Sequence, residues 1–357
     1  MKKDRIIIWA TEVFQLIEGK PVGGVAVQMM FWAQNFVKHG WEVYSFAENE
    51  KRIISKSGII FKPKRNSQRI NFLLEWFHAV KFIVSIRPNL IIYRGANREL
   101  WSLAFISRLF GVKLAFFAAS DVNFEPGKEL VGSEMNRRLY HRAIKHIKYF
   151  LVQNEHQKAT LYSNYGKDSK IIYNIWGTTD MVEQIKPTVS DVIWIANFRR
   201  LKRAEWVLES AEKLPEYHFI LAGAASGDRS YYDDINRRAS MLPNVDFLGG
   251  QSFFYANSLV ANSKVLLCTS TFEGFPNTFL QAWSNGLPVI STVDPSGIIR
   301  KNNLGIVVET VDELTTAIRI LMDNKENYDE LRKSILPYFE KNHSSEYAFN
   351  KLMSYIS

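Results

Sequence analysis

The chain has 357 residues, 46% hydrophobic and 23% charged, a balance that excludes global disorder and suits two globular domains. Its single cysteine, Cys268, excludes a disulfide framework and a cysteine-rich zinc module. The net charge of +9 is uneven: residues 1–187 hold 28 basic and 16 acidic side chains, residues 188–357 hold 17 and 20. The apolar run at 6–10 is too short for a signal-peptide core. The longest apolar stretch, 101–120, is broken by Arg108, Gly111 and Lys113, so no membrane span and a cytoplasmic, soluble protein are expected.

In chain order, strands are expected at 5–10, 42–46, 59–62, 90–93, 113–117, 149–153 and 170–173. Most are followed by helical spacing; Val25, Met29, Trp32, Ala33 and Phe36 share one face of a helix over 25–38. Nine basic residues stand against Glu75 in 51–87, a patch for phosphate-rich partners or a plain solvated surface. The pattern restarts after Pro187. Strands are expected at 192–196, 217–222, 245–249, 264–268, 288–291 and 304–308, with helices between them. Strand–helix alternation means parallel βαβ units. The expectation is an α/β protein with two Rossmann-like domains, 1–187 and 188–340, facing across a cleft. A linker is expected near 175–190, and a closing helix over 341–357 is expected to pack towards the N-terminal domain. Ligands of such sheets bind at the carboxyl ends of the strands.

The most specific segment reads TSTFEGFPNTFLQAWSNGLPVIS over 269–291. An apolar strand enters a loop of small residues, then Glu273, Gly274, Phe275 and Pro276, then a helix. Proline suits the first turn of a helix, whose free N–H groups attract anions or sugar hydroxyls. Glu273 is placed to accept hydrogen bonds from a polyol. Gln281 lies two turns into the helix. A second segment, VIWIANFRRLKRAEWVL over 192–208, clusters Arg199, Arg200, Lys202 and Arg203 between a strand end and a helix. Fixed cations there would stabilise a diphosphate leaving group.

These segments resemble retaining glycosyltransferases of the GT-B fold, family 4, the glycosyl transferases group 1. Glu273, Gly274, Phe275 and Pro276 resemble the start of the family's Glu-x7-Glu signature; Gln281 stands where the second glutamate would be. The resemblance implies that Glu273, Gly274, Phe275, Pro276 and Asn277 meet the donor sugar. It implies that Leu248, Gly249, Thr278 and Gln281 meet the nucleotide, Gln281 through the ribose. Lys202 falls on the family's lysine, and Arg199 or Arg203 substitutes for an arginine absent at Asn197. Gly23 and Gly24 resemble a Gly-Gly that faces the donor phosphate, a reading that close backbone approach before a helix also permits. Asp121 stands where many members carry a cleft histidine; it is a candidate for hydroxyl contact or a turn residue.

The histidines show no metal spacing, so no metal and no cofactor are expected beyond a UDP- or GDP-sugar donor. The resemblance implies metal-independent transfer with retention, the leaving phosphate taking the acceptor proton, Lys202 and Glu273 as the principal catalytic groups and Asp121 as a third. The expected acceptor is a glycan or a polyprenyl-diphosphate-linked glycan in bacterial surface-polysaccharide or lipopolysaccharide assembly. Segment 68–87, aromatic and basic, is suited to an anionic membrane surface or to core packing. Nucleic acid is not expected. Two other readings are a nucleotide-sugar 2-epimerase of the same fold and a non-catalytic protein binding anionic lipid or nucleic acid.

Overall fold

The fold is taken from a computed structural model of the whole chain. It describes residues 3–20, 23–47, 53–55, 57–63, 72–129, 131–177, 189–273 and 275–357, with no side-chain description for 72–75. The expected linker falls largely outside these residues, as do Pro21, Val22, Gly274 and the first four residues of segment 68–87.

The chain divides into two compact units, Met1–Gly177 with Ser344–Ser357, and Thr178–His343. In the first unit the elements run β1 (Arg5–Ile8), α1 (Glu12–Ile17), α2 (Gly24–Lys38), β2 (Glu42–Ala47), β3 (Ile53–Ile54), β4 (Ile60–Pro63), α3 (Phe72–Ile86) and β5 (Leu90–Arg94). They continue as α4 (Glu99–Leu109), β6 (Lys113–Phe117), α5 (Glu134–His146), β7 (Tyr149–Val152), α6 (Glu155–Tyr165) and β8 (Lys170–Ile171). The sheet order is β3-β4-β2-β1-β5-β6-β7-β8, parallel except for β3. The central strands read as continuous apolar runs because helices cover both faces. Ile6, Ile7 and Ile8 of β1, and Ile91 and Ile92 of β5, are fully buried.

In the second unit come β9 (Ser190–Ile195), α7 (Ala204–Lys213), β10 (Phe219–Ala222), α8 (Arg229–Ala239), β11 (Val245–Gly249), α9 (Phe253–Ala261) and β12 (Ser263–Cys268). Then follow α10 (Asn277–Trp283), β13 (Val289–Ser291), α11 (Ile298–Asn302), β14 (Gly305–Val307), α12 (Val311–Asp323) and α13 (Lys325–Asn342). The last helix, α14 (Ser345–Ile356), belongs to the first unit. The second sheet is wholly parallel, ordered β11-β10-β9-β12-β13-β14. Chain direction across the sheet reverses between β9 and β12, the switch point where a doubly wound sheet opens for a ligand. In the first sheet the same reversal lies between β1 and β5.

The β9–β12 pair is held by the apolar faces of Val192, Trp194, Val265 and Leu267. Two buried hydroxyls, Ser190 Oγ and Ser263 Oγ, bond to each other at 2.7 Å, so neither is left unsatisfied. Pro276 differs from expectation by one position. It stands immediately before α10 in an extended conformation (φ −66°, ψ 122°), and the helix starts at Asn277. The ring fixes φ at a value that both an extended and a helical residue adopt, so the sequence alone does not separate them. Among the described residues no helix is long and apolar enough to cross a membrane.

Candidate functional site

The loops leaving β9 and β12 are stitched together at the switch point. Thr271 N donates to Leu201 O at 2.8 Å, and Thr269 Oγ1 donates to Lys202 O at 2.6 Å. Trp194 Nε1, rising from β9, donates to Thr269 Oγ1 at 3.0 Å. Arg203 sits between a short 3-10 turn (Arg200–Lys202) and α7 in the left-handed region (φ 49°). From there its Nε donates to Thr269 O at 2.6 Å and its Nη2 to Ser270 O at 3.3 Å. The guanidinium also lies over the Trp206 ring, 3.8 Å from its centre. Burial lowers the Arg203 pKa from its ordinary value, against the pull of Glu205, and the group remains a cation. Arg203 is thus committed to holding the second loop in place.

This stitching brings Lys202 and Glu273 together. Lys202 Nζ forms an ion pair with Glu273 Oε1, which also accepts from Ser270 Oγ at 2.8 Å. Each side chain is 19% exposed, so the pair is sheltered yet open on one side. A sheltered cation in this position acts more strongly on a bound anion than it would in bulk water.

Arg199 and Arg200 point to the next loop. Arg199 Nε donates to Ser226 Oγ at 3.0 Å, and Arg200 pairs with Asp228 at 2.8 Å. Asp228 is held at about 2 by Ser230, by the Tyr231 backbone N–H that it caps, and by Arg200. The approach of these loops depends on Gly223, where a Cβ would overlap the Ala196 carbonyl oxygen. Phe198 N then reaches Ala224 O at 2.9 Å.

Phe275 packs beside Phe279 and Trp283, Pro276 is buried, and Asn277 and Thr278 form the half-buried first turn of α10. Gln281 is 5% exposed, and its Nε2 donates to Asn257 Oδ1 of α9 at 2.7 Å. Leu248 and Gly249 end β11; the Leu248 carbonyl accepts from Gln251 Nε2 at 2.6 Å. Gly249 has φ +64°, and a Cβ there would press on Tyr232 Oη, so it is glycine for its backbone. Gly274 is outside the described residues.

The remaining candidates lie in the first unit. Gly23 caps α2 and Gly24 begins it, both exposed, with open space where a Gly23 Cβ would stand. Asp121 opens a 3-10 turn (Asp121–Phe124) and accepts from Asn154 Nδ2 at 3.0 Å and Gln157 Nε2 at 2.8 Å. Among the described residues no three His, Cys, Asp or Glu side chains group as a metal site. Cys268 is buried, and burial raises its thiol pKa. Sequence reasoning did not single out Ser270 as the partner of Glu273, nor Asn257, Ser226 or Asp228 as loop anchors. Ser270 had a signal in the small-residue loop; Asn257 had none.

Residues 190–324 match the family model for glycosyl transferases group 1. The match covers the switch-point loops, Lys202 and Glu273. Over 261 residues the chain is 23% identical to an uncharacterized glycosyltransferase of Methanocaldococcus jannaschii, covering 66% of this chain and 63% of that protein. Over 138 residues it is 29% identical to a lipopolysaccharide 1,6-galactosyltransferase of Salmonella typhimurium, covering 37% and 38%. The chain thus spans less than two thirds of the length of each curated relative. The crystal structure of a glycosyltransferase from Rickettsia africae superposes with a TM-score of 0.71 over 99% of this chain and 98% of its own, at 13% identity. At that identity the likeness shows the fold, which is GT-B with its two Rossmann-like domains. The group 1 match and both curated names are those of glycosyltransferases.

Proposed function

We propose that the protein is a retaining, metal-independent glycosyltransferase that moves a sugar from a UDP- or GDP-sugar to a glycan or lipid-linked acceptor. The observation that carries this reading is the Lys202–Glu273 pair at the switch point of the group 1 segment. In the proposed step the bond from the anomeric carbon to the diphosphate breaks. The acceptor oxygen bonds to that carbon on the same face, and its proton passes to the leaving phosphate. Lys202 stabilises the charge that develops on the diphosphate. Glu273 orients the sugar hydroxyls, and because it neutralises Lys202, the diphosphate must share that cation with it. The matched lipopolysaccharide enzyme supports a surface-polysaccharide or lipopolysaccharide acceptor.

The basic excess of residues 1–187 supports docking on an anionic membrane, as does the exposure of Phe77 and Val84 on α3 and of Phe105 and Leu109 beside Arg108 on α4. Thermal stabilisation by a panel of nucleoside diphosphates and their sugars, with and without EDTA, tests the reading, because a ligand of the native state raises Tm. One nucleoside diphosphate is expected to raise Tm equally in both conditions, and its sugar is expected to be transferred. Release of free isomerised sugar in place of a transfer product would favour the epimerase. Absence of any shift, with salt-dependent binding to anionic vesicles, would favour the non-catalytic lipid binder.

Gln281→Glu is expected to keep or tighten binding of that nucleotide. The carboxylate can accept from ribose hydroxyls and from the Asn257 amide once that amide turns its nitrogen inward. Calorimetric titration checks this; loss of binding would show that the site departs from the family geometry at Gln281.

A further inference from the structure

Arg94 ends β5, one of the two strands that flank the switch point of the first sheet. Its side chain is only partly exposed, and burial pushes its pKa down to about 10. Among the described residues the guanidinium has one partner: Nη2 donates to Asn174 Oδ1 at 2.7 Å. Nε is buried and has no hydrogen-bond partner among the described residues. No described carboxylate offsets the cost of its burial.

A sheltered cation held by one neutral acceptor is an unfavourable arrangement unless something else supplies the charge. A neutral amide would hold Asn174 as well. What an arginine adds is a rigid fork of five donors that fits phosphate. The surroundings fix that fork in place. Gln28 of α2 clamps the next residue in both directions, donating to Ile175 O at 2.8 Å and accepting from Ile175 N at 2.9 Å. Trp176 packs on Phe31, with ring centres 4.9 Å apart. On the other side Gly95 turns the chain away with φ +89°. Arg94 therefore stands at the carboxyl edge of the first sheet in a preorganised position, in the more basic part of the chain.

We propose that Arg94 anchors a phosphate group carried by the acceptor. That the phosphate belongs to an acceptor rests on the transferase reading; the anion site itself does not.

Peptide-resolved hydrogen exchange on the full chain tests it, with inorganic pyrophosphate, glucose 6-phosphate and phosphatidic acid vesicles in separate arms. Protection of 90–98 and 172–177 is expected in at least one arm, and the arm shows whether the phosphate comes from solution or from lipid. That protection should persist in Lys202→Ala and vanish in Arg94→Gln. Arg94→Gln should also raise Tm, because the uncompensated charge is gone. If Arg94→Gln fails to fold, Arg94→Lys keeps the charge without the fork and should retain part of the protection. Protection confined to 196–204 and 269–277, or unchanged at 90–98 in Arg94→Gln, would overturn the proposal. Protection at 90–98 without any nucleotide-induced rise in Tm would leave the anion site standing and remove the transferase reading.

Discussion

Lys202→Ala is expected to lower glycosyl transfer by about 10²–10³-fold, the usual loss when one preorganised donor to a developing anion is removed. Folding should change much less, by roughly 1–2 kcal/mol, because both partners are 19% exposed and water screens the carboxylate left behind. Ser270 still donates to Glu273 in the variant, so the carboxylate keeps one partner. Initial rates at saturating donor, set beside a denaturation curve, separate the two effects. A normal rate would remove Lys202 from the chemistry. A loss of rate matched by a loss of folded protein would assign it to the scaffold alone.

Gly223→Ala should have the larger effect on stability, about 3 kcal/mol by the general cost of forcing extra volume into a packed site. The added methyl would overlap the Ala196 carbonyl oxygen, and backbone on both sides must move. Ala196 begins the loop that leads to Lys202, and Gly223 N is itself bound to Gly249 O at 2.8 Å. The displacement should therefore reach donor binding as well as folding. Urea unfolding with a nucleotide titration on the folded fraction checks both. Unchanged stability would show that the loops separate more easily than their hydrogen bonds indicate.

Much of this was legible in the residues, for physical reasons. The centres of β1, β5, β9 and β12 are buried on both faces, so 6–8, 90–93, 192–195 and 265–268 read as apolar runs between turns. The restart at 192 gave away a second sheet. Glu273 and Lys202 stood out because a loop that must meet a helix or a diphosphate needs particular residue types. Their bond to each other did not, since 71 residues separate them and the sheet order alone brings them together. Asn257 was invisible for the same reason: it meets Gln281 across a helix pair, with no period to mark it. The helix α1, six residues long, is too short to show a helical repeat, and the two-residue strand β3 is too short to alternate. Arg94 lies one residue beyond the strand expected at 90–93, and its lone neutral partner and its Nε without a partner among the described residues show only in three dimensions.

The first unit is discontinuous in the chain, and this bears on the order in which the protein is made. Its helix α14 is separated from the rest by all of Thr178–His343. Phe349 packs on Phe36 with ring centres 5.0 Å apart and stacks on His39 at 3.7 Å, and Lys113 Nζ donates to Ile356 O at 2.6 Å. A ribosome delivers these partners only after the whole of Thr178–His343 has been made. The inserted unit can finish folding during synthesis, while the unit begun first waits, with the α2 face around Phe36 uncovered, until α14 emerges. Separating the two at the gene level is likewise asymmetric. Residues 178–343 come away as one continuous piece, whereas the other unit needs its two stretches of chain rejoined.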